Sequence, residues 1–301
     1  MKPLQKGYIM KAAYSKYIAA LLLFGLNGIV ASHIALNSCE IVFTRSLIGS
    51  VFLVLLFLLT RKKGGAPVNK THLMYLMASG VSMGASWMFL YEAYDQVGVG
   101  VATLSCYCGP VIVMALSPLL FGERITWSKA AGFVCVLLGM LFVNLRVLNG
   151  GKNLWGVFCG IMSAAMYAAM VIFNKKAESI RGLRNAMWQM VAAFAVVAVF
   201  LCLRQGLVLH IEPNSVLPIL VLGIVNTGIG CYLYFSAIIE LPVQSVAVCG
   251  YLEPLSAVFF AALLLGESMN ALQIFGGALI LGGAAFAELY KPKRLGIEPD
   301  V

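Results

Sequence analysis

Charge is scarce in this chain. Of its 301 residues 12 are acidic and 21 are Lys or Arg, so charged groups make up 11% of the sequence. No arrangement of one or two soluble domains could hide the 61% that are apolar. Histidine is rarer still, at 3 residues, and the 8 cysteines form no CxxC pair. Cys106 and Cys108, two apart on a helix, would point to different faces, so no metal or redox site is expected and the thiols read as small buried hydrophobes. No GxxxxGK[ST] loop occurs, which argues against ATP hydrolysis. No His, Asp or Cys cluster of the kind a lipid-modifying enzyme would carry is seen, so the chain is read as a non-enzyme without cofactors. A soluble sensor domain is missing too.

What the sequence has instead is long apolar runs, with a mean hydropathy of +0.93. Lipid must be the solvent for most of the chain. The net charge of +9 raises nucleic acid as a partner, but the basic residues sit in short loops, where they orient a membrane protein. Windows of about 20 apolar residues each mark one crossing. Ten are read, at 17–36, 40–60, 72–92, 98–121, 126–144, 155–174, 185–204, 216–238, 243–265 and 270–289. Each must be a helix, because bare backbone polar groups are costly in hydrocarbon. The lysines before the first run look like the start of a signal peptide, but that run is long enough to span and is kept as a helix. Gly122 and Gly266 are placed to end helices, and Thr126 and Asn270 to cap the next ones.

Numbering the loops puts 17 of the 21 basic residues on one side and Arg146, Lys152 and Arg204 on the other, with Arg45 inside a span. Both termini are therefore expected in the cytoplasm, with the protein multi-pass in the plasma or inner membrane.

A shift of 144 residues lays Tyr107 on Tyr251, Pro110 on Pro254, and Gly122-Glu123 on Gly266-Glu267. It also lays Gly132 on Gly276, Gly139 on Gly283 and Phe142 on Phe286. The chain reads as a duplication, 15–145 and 154–290, followed by a cytoplasmic tail at 291–301. Each copy holds five spans, an odd number, so the second copy must enter the membrane inverted. Two inverted halves can exchange conformations, which is the symmetry that alternating access needs.

The ten spans, the paired Pro110…Gly122-Glu123 and Pro254…Gly266-Glu267 patterns and the arginine in span two make the chain similar to the EamA family of the drug/metabolite transporter superfamily. The resemblance covers about residues 15–290. It implies that spans 1, 3, 4, 6, 8 and 9 line a central cavity, with 5 and 10 in support.

Glu253 is the sharpest single signal. It lies mid-span, where a carboxylate is costly unless it faces water or a partner. Contact with a solute's amine, coupling to a proton, and a hydrogen bond that holds the helix near Pro254 are the three roles that fit it. Its counterpart is Gly109. Pro110 and Pro254 each remove a helical donor and are read as matched kinks. Asn27, Trp87, Tyr107, Tyr167, Asn226 and Tyr251 lie near the middle of the implied cavity spans; with Glu253 they would suit a cation or an amino-acid-like solute. Tyr and Asn also join helices by hydrogen bonds. Arg45 lies one turn inside span two with Glu40 and Glu92 at similar depth. It is expected to snorkel or to form a structural ion pair, with a gate or an anion contact as the other reading. Glu123 and Glu267 are expected to cap helices or bond loops. The spaced glycines of spans five and ten read as close-contact positions.

The resulting expectation is a secondary carrier of amino acids, amines or related small solutes, working in the export direction, with a proton as the coupling ion. It would be a monomer or a homodimer. A nucleotide-sugar or sugar-phosphate exchanger is the competing reading; it needs a basic cavity, and Arg45 alone is basic within a span.

Overall fold

The computed structural model describes residues 3–60, 69–144, 154–204, 206, 209–265 and 271–290. Gly266, Glu267, Asn270 and the tail at 291–301 lie outside the described residues. Among the described residues the chain is all helix, with no strand. The first half comprises α1 (Pro3–Gly25), α2 (Asn27–Ala31), α3 (Ser38–Thr60), α4 (Lys70–Cys106), α5 (Gly109–Phe121) and α6 (Trp127–Asn144). The second comprises α7 (Leu154–Lys176), α8 (Gly182–Arg204), α9 (Val216–Leu220), a π-helical stretch (Val221–Ile229), α10 (Gly230–Ile238), α11 (Val243–Cys249), α12 (Leu252–Leu265) and α13 (Ala271–Leu289). Among the described residues seven segments are long and apolar enough to cross a membrane, and three shorter apolar helices accompany them.

The element ends follow local chemistry. Gly122 closes α5 in the left-handed region at φ 64°, returning its N–H to the Pro118 carbonyl. Thr126 caps α6, its Oγ1 accepting from the Lys129 N–H at 3.4 Å. Asn37 and Glu40 exchange side-chain-to-backbone bonds of 2.9 and 3.0 Å at the start of α3. That is a reciprocal capping box, so Glu40 serves its own helix.

Two features depart from the expected spans. The first helix starts at Pro3, well before residue 17, and its crossing segment is Ile9–Ala31. No proline intervenes between Pro3 and Gly25, and the single glycine there, Gly7, is not enough to end the helix. The expected loop between spans three and four lies inside α4, yet α4 cannot be one straight rod. Ser163 Oγ lies 2.9 Å from the Ser86 carbonyl oxygen and 3.4 Å from Cys106 Sγ. Those two partners would stand about 30 Å apart along a straight helix. Moving up α7, Gly156 packs on Gln96 and Val97, Gly160 on Ser105, and Tyr167 on Gly109. Ser79 meets Met170 on the antiparallel limb. The chain thus runs down one side of α7 and doubles back near Gln96.

Helix contacts between the halves come in exchanged pairs. Gly132 packs on the backbone of Gly283, and Gly139 on that of Gly276, so α6 and α13 cross antiparallel. Gly84 packs on Val196 while Gly228 packs on Phe52. In each pair, adding 144 to one partner and subtracting it from the other turns one contact into its mate.

Candidate functional site

Both halves break a helix at the same place. The residues Tyr107-Cys108 separate α4 from α5, and Gly250-Tyr251 separate α11 from α12. Pro110 and Pro254 follow within the first turn of the next helix, where a missing N–H costs least. The two breaks meet: Tyr251 donates its hydroxyl to the Tyr107 carbonyl at 2.7 Å, and the rings lie 6.2 Å apart. A buried carbonyl left free by one break is satisfied by the side chain of the other.

Above this junction lies a cavity of about 550 Å³, within the range of small-molecule sites. Of the residues singled out in the sequence, Glu253, Tyr251, Tyr107, Trp87, Asn27, Tyr167, Pro110 and Arg45 line it. Asn226 does not. Its amide donates to the Leu23 carbonyl at 2.8 Å, where the first helix breaks ahead of Leu26, and so it ties two helices together. Pro254, Glu40 and Glu92 also stand off the wall. Glu92 pairs with Arg204 at 2.8 Å, and Asp95 joins the same guanidinium at 3.1 Å.

Neither carboxylate therefore neutralises Arg45. Its guanidinium lies 4.6 Å from the Trp87 ring centre, a cation–π contact, and its Nε is buried without a hydrogen-bond partner. The repeat partner, Gln189, is fully buried and donates to Ser79 Oγ at 2.6 Å, so the first half alone places a polar group of this kind on the cavity wall. The opposite asymmetry holds at Glu253. Its counterpart Gly109 leaves room for the Tyr167 ring, which would stand 2.7 Å from a Cβ at that position.

Sequence reasoning missed Tyr234, Tyr91 and Tyr94, which also line the cavity. Tyr234 shares a hydroxyl contact of 3.2 Å with Tyr167 and packs on Tyr17 and Phe24 at 5.4 and 5.8 Å. It lies in span eight but four residues from the expected end, so depth did not single it out as it did Asn226.

The cavity extends from this aromatic floor toward Ala31, Ser38 and Tyr94. The other end of the bundle is shut. Tyr17 donates to the Val246 carbonyl at 2.8 Å and Tyr14 to Ser245 Oγ at 3.0 Å. Gln244 donates to Ser117 Oγ at 3.0 Å. Glu123, just past α5, accepts from the backbone N–H groups of Val243 and Gln244 at 2.8 and 3.1 Å, and so caps α11 in the opposite half. Lys175 holds the carbonyls of Ile238, Ile239 and Leu241 just before it. No group of His, Cys, Asp and Glu able to hold a metal occurs among the described residues.

The chain is similar to several known proteins. A solved crystal structure superposes with a TM-score of 0.78 at 19% identity, covering 92% of this chain and 98% of its own, a likeness of fold. An uncharacterized transporter of Bacillus subtilis, YxxF, is 21% identical over 278 residues, covering 91% of this chain and 88% of the relative. A probable amino-acid metabolite efflux pump of Salmonella typhimurium is 27% identical over 228 residues, covering 71% and 76%. The model of the EamA-like transporter family matches twice, at residues 12–145 and 154–288. The chain belongs to the EamA-like transporter family.

Proposed function

We propose that this transporter is a secondary carrier of amino acids, amines or related small solutes that works by alternating access in the export direction. The two matched stretches, 15–145 and 154–290, act as inverted five-helix repeats that make ten crossings. The exchanged glycine contacts support a two-fold relation between the halves, and the antiparallel crossing of the mates α6 and α13 supports an axis in the membrane plane, hence inversion. The observation that carries the function is the cavity between the halves, open toward Ser38 and Tyr94 and sealed beneath Tyr17 and Glu123. With both termini in the cytoplasm, as the basic residues indicate, this is an outward-open state. The plasma or inner membrane is its place.

Glu253 is the charge that alternating access would expose to each side in turn, and a proton is the ion proposed to couple there. The test is counterflow and gradient-driven uptake in proteoliposomes, over a panel of amino acids, amines and sugar phosphates, with and without a pH gradient. Glu253→Gln is expected to lose gradient-driven flux at least tenfold while keeping exchange. If the variant and the wild type move the same solute equally well, Glu253 is structural. If sugar phosphates alone move, the exchanger reading replaces this one; that Arg45 is the single cation lining the cavity among the described residues counts against that.

A further inference from the structure

We infer that Arg45 and Glu253 receive opposite poles of one solute, Arg45 its carboxylate and Glu253, with Asn27, its ammonium. The assignment rests on the carrier reading above and goes beyond it by fixing the solute as a zwitterion and orienting it.

Three polar groups on the cavity wall make no hydrogen bond or ion pair among the described residues, although Arg45 and Glu253 attract one another across the cavity from beyond ion-pair distance. The Arg45 side chain makes no hydrogen bond or salt bridge among the described residues, and its Nε is buried. An arginine inside a span is costly, and stacking on Trp87 leaves its in-plane donors free. Asn27, the first residue of α2, presents a buried Oδ1 with no donor to it. The Glu253 carboxylate, in the first turn of α12, makes no side-chain hydrogen bond among the described residues. All three line one cavity.

The chemistry of these groups selects the solute. A guanidinium offers donors in a planar fork that matches a carboxylate. A carboxylate and an amide oxygen offer acceptors, which an ammonium needs. Glu40 caps α3, and Glu92 and Asp95 hold Arg204; Glu253 attracts the guanidinium across the cavity but makes no ion pair with it, which leaves room for a solute between the two. A simple amine would leave Arg45 unmatched, and a simple acid would leave Glu253 and Asn27 unmatched. A phosphorylated sugar would meet Arg45 but set its charge against Glu253. Only a solute with both poles satisfies every group at once, and an unmatched polar group is the expensive case.

The test is competition in proteoliposomes against counterflow of labelled leucine, by leucine, 3-methylbutylamine and 4-methylpentanoate, which share one carbon skeleton and differ in their charged groups. If another amino acid of the panel gives faster counterflow, it and its own decarboxylated and deaminated analogues are used instead. Leucine should compete at least about tenfold better than either analogue. Arg45→Gln should erase the preference over the amine and keep the preference over the acid; Glu253→Gln should do the reverse. Arg45→Lys, which keeps the charge without the fork, serves if the glutamine variant fails to fold, and should retain part of the preference over the amine. A wild type that takes the amine as readily as leucine overturns the assignment, as does an Arg45 variant that weakens all three competitors equally. Counterflow of non-zwitterions alone overturns it while leaving a carrier in place. No counterflow of any panel solute removes the carrier reading itself.

Discussion

Gly139→Val is expected to lower the melting temperature of the purified protein by about 5 °C or more and to cut its monodisperse yield. A Cβ at Gly139 would stand 2.5 Å from the Gly276 carbonyl oxygen and 2.9 Å from the backbone nitrogen of Ile280. These are backbone atoms of a packed helix and cannot turn aside. The helices must part, and the parting reaches Phe142 against Phe275, now 5.4 Å between ring centres. Overpacking of this kind costs about 1–3 kcal/mol even where side chains can yield. Membrane helices have no hydrophobic effect between them to offset the loss, since their cohesion is close packing. The internal control is Gly282→Ala on the partner helix α13, where a Cβ meets nothing within 4 Å. That variant should match the wild type or exceed it slightly, because alanine favours helix. Equal melting temperatures for the two variants would mean that close approach at Gly139 is not why glycine stands there.

The glycine pairing also marks what the sequence made legible. A helix that is apolar all round has no amphipathic face, so its rotation about its own axis leaves little periodic trace. Several helix ends were legible from apolar runs, caps and prolines, but the start of the first helix and the turn inside α4 were not; the matched helix breaks were legible from Pro110 and Pro254. Spaced glycines recovered some rotational information, since a missing side chain says which face is crowded. Aromatic residues did not. Tyr234 and Tyr232 are two apart in α10, and nothing in their spacing says that Tyr234 faces the cavity. Asn226 illustrates the reverse error, because depth in the span was legible while direction was not. Arg45 was found for its cost, but its partner was misjudged: depth alone suggested Glu40 or Glu92, and those acids were already committed to a helix cap and to Arg204. For Glu123 a capping role was legible. That the capped helix lies in the other half required the fold.

Removing that cap should open the sealed end. Glu123 is the acidic link between α5 of the first half and α11 of the second, and both its oxygens take backbone N–H groups. A carboxylate at a helix N-terminus gains from the cap and from the helix dipole together, about 1–2 kcal/mol. If that gain exists only in the closed arrangement, its loss shifts the balance toward the opposite-facing state by about tenfold. The readout is a cysteine at Ser245, a residue buried in the seal beside Tyr14, in a chain whose native cysteines have been replaced. Its labelling from the side bearing Glu123 should quicken about tenfold in Glu123→Ala and less in Glu123→Gln, which keeps one acceptor. Arg124→Ala, next door and exposed, should leave the rate unchanged. Lys175→Met makes the decisive comparison. Lys175 bonds carbonyls of its own half and meets Glu123 through charge alone, without a hydrogen bond, so its loss should lower stability with a smaller rise in labelling. Equal quickening in Glu123→Ala and Lys175→Met would show a loosened loop, and the idea of a latch between the halves would have to be given up.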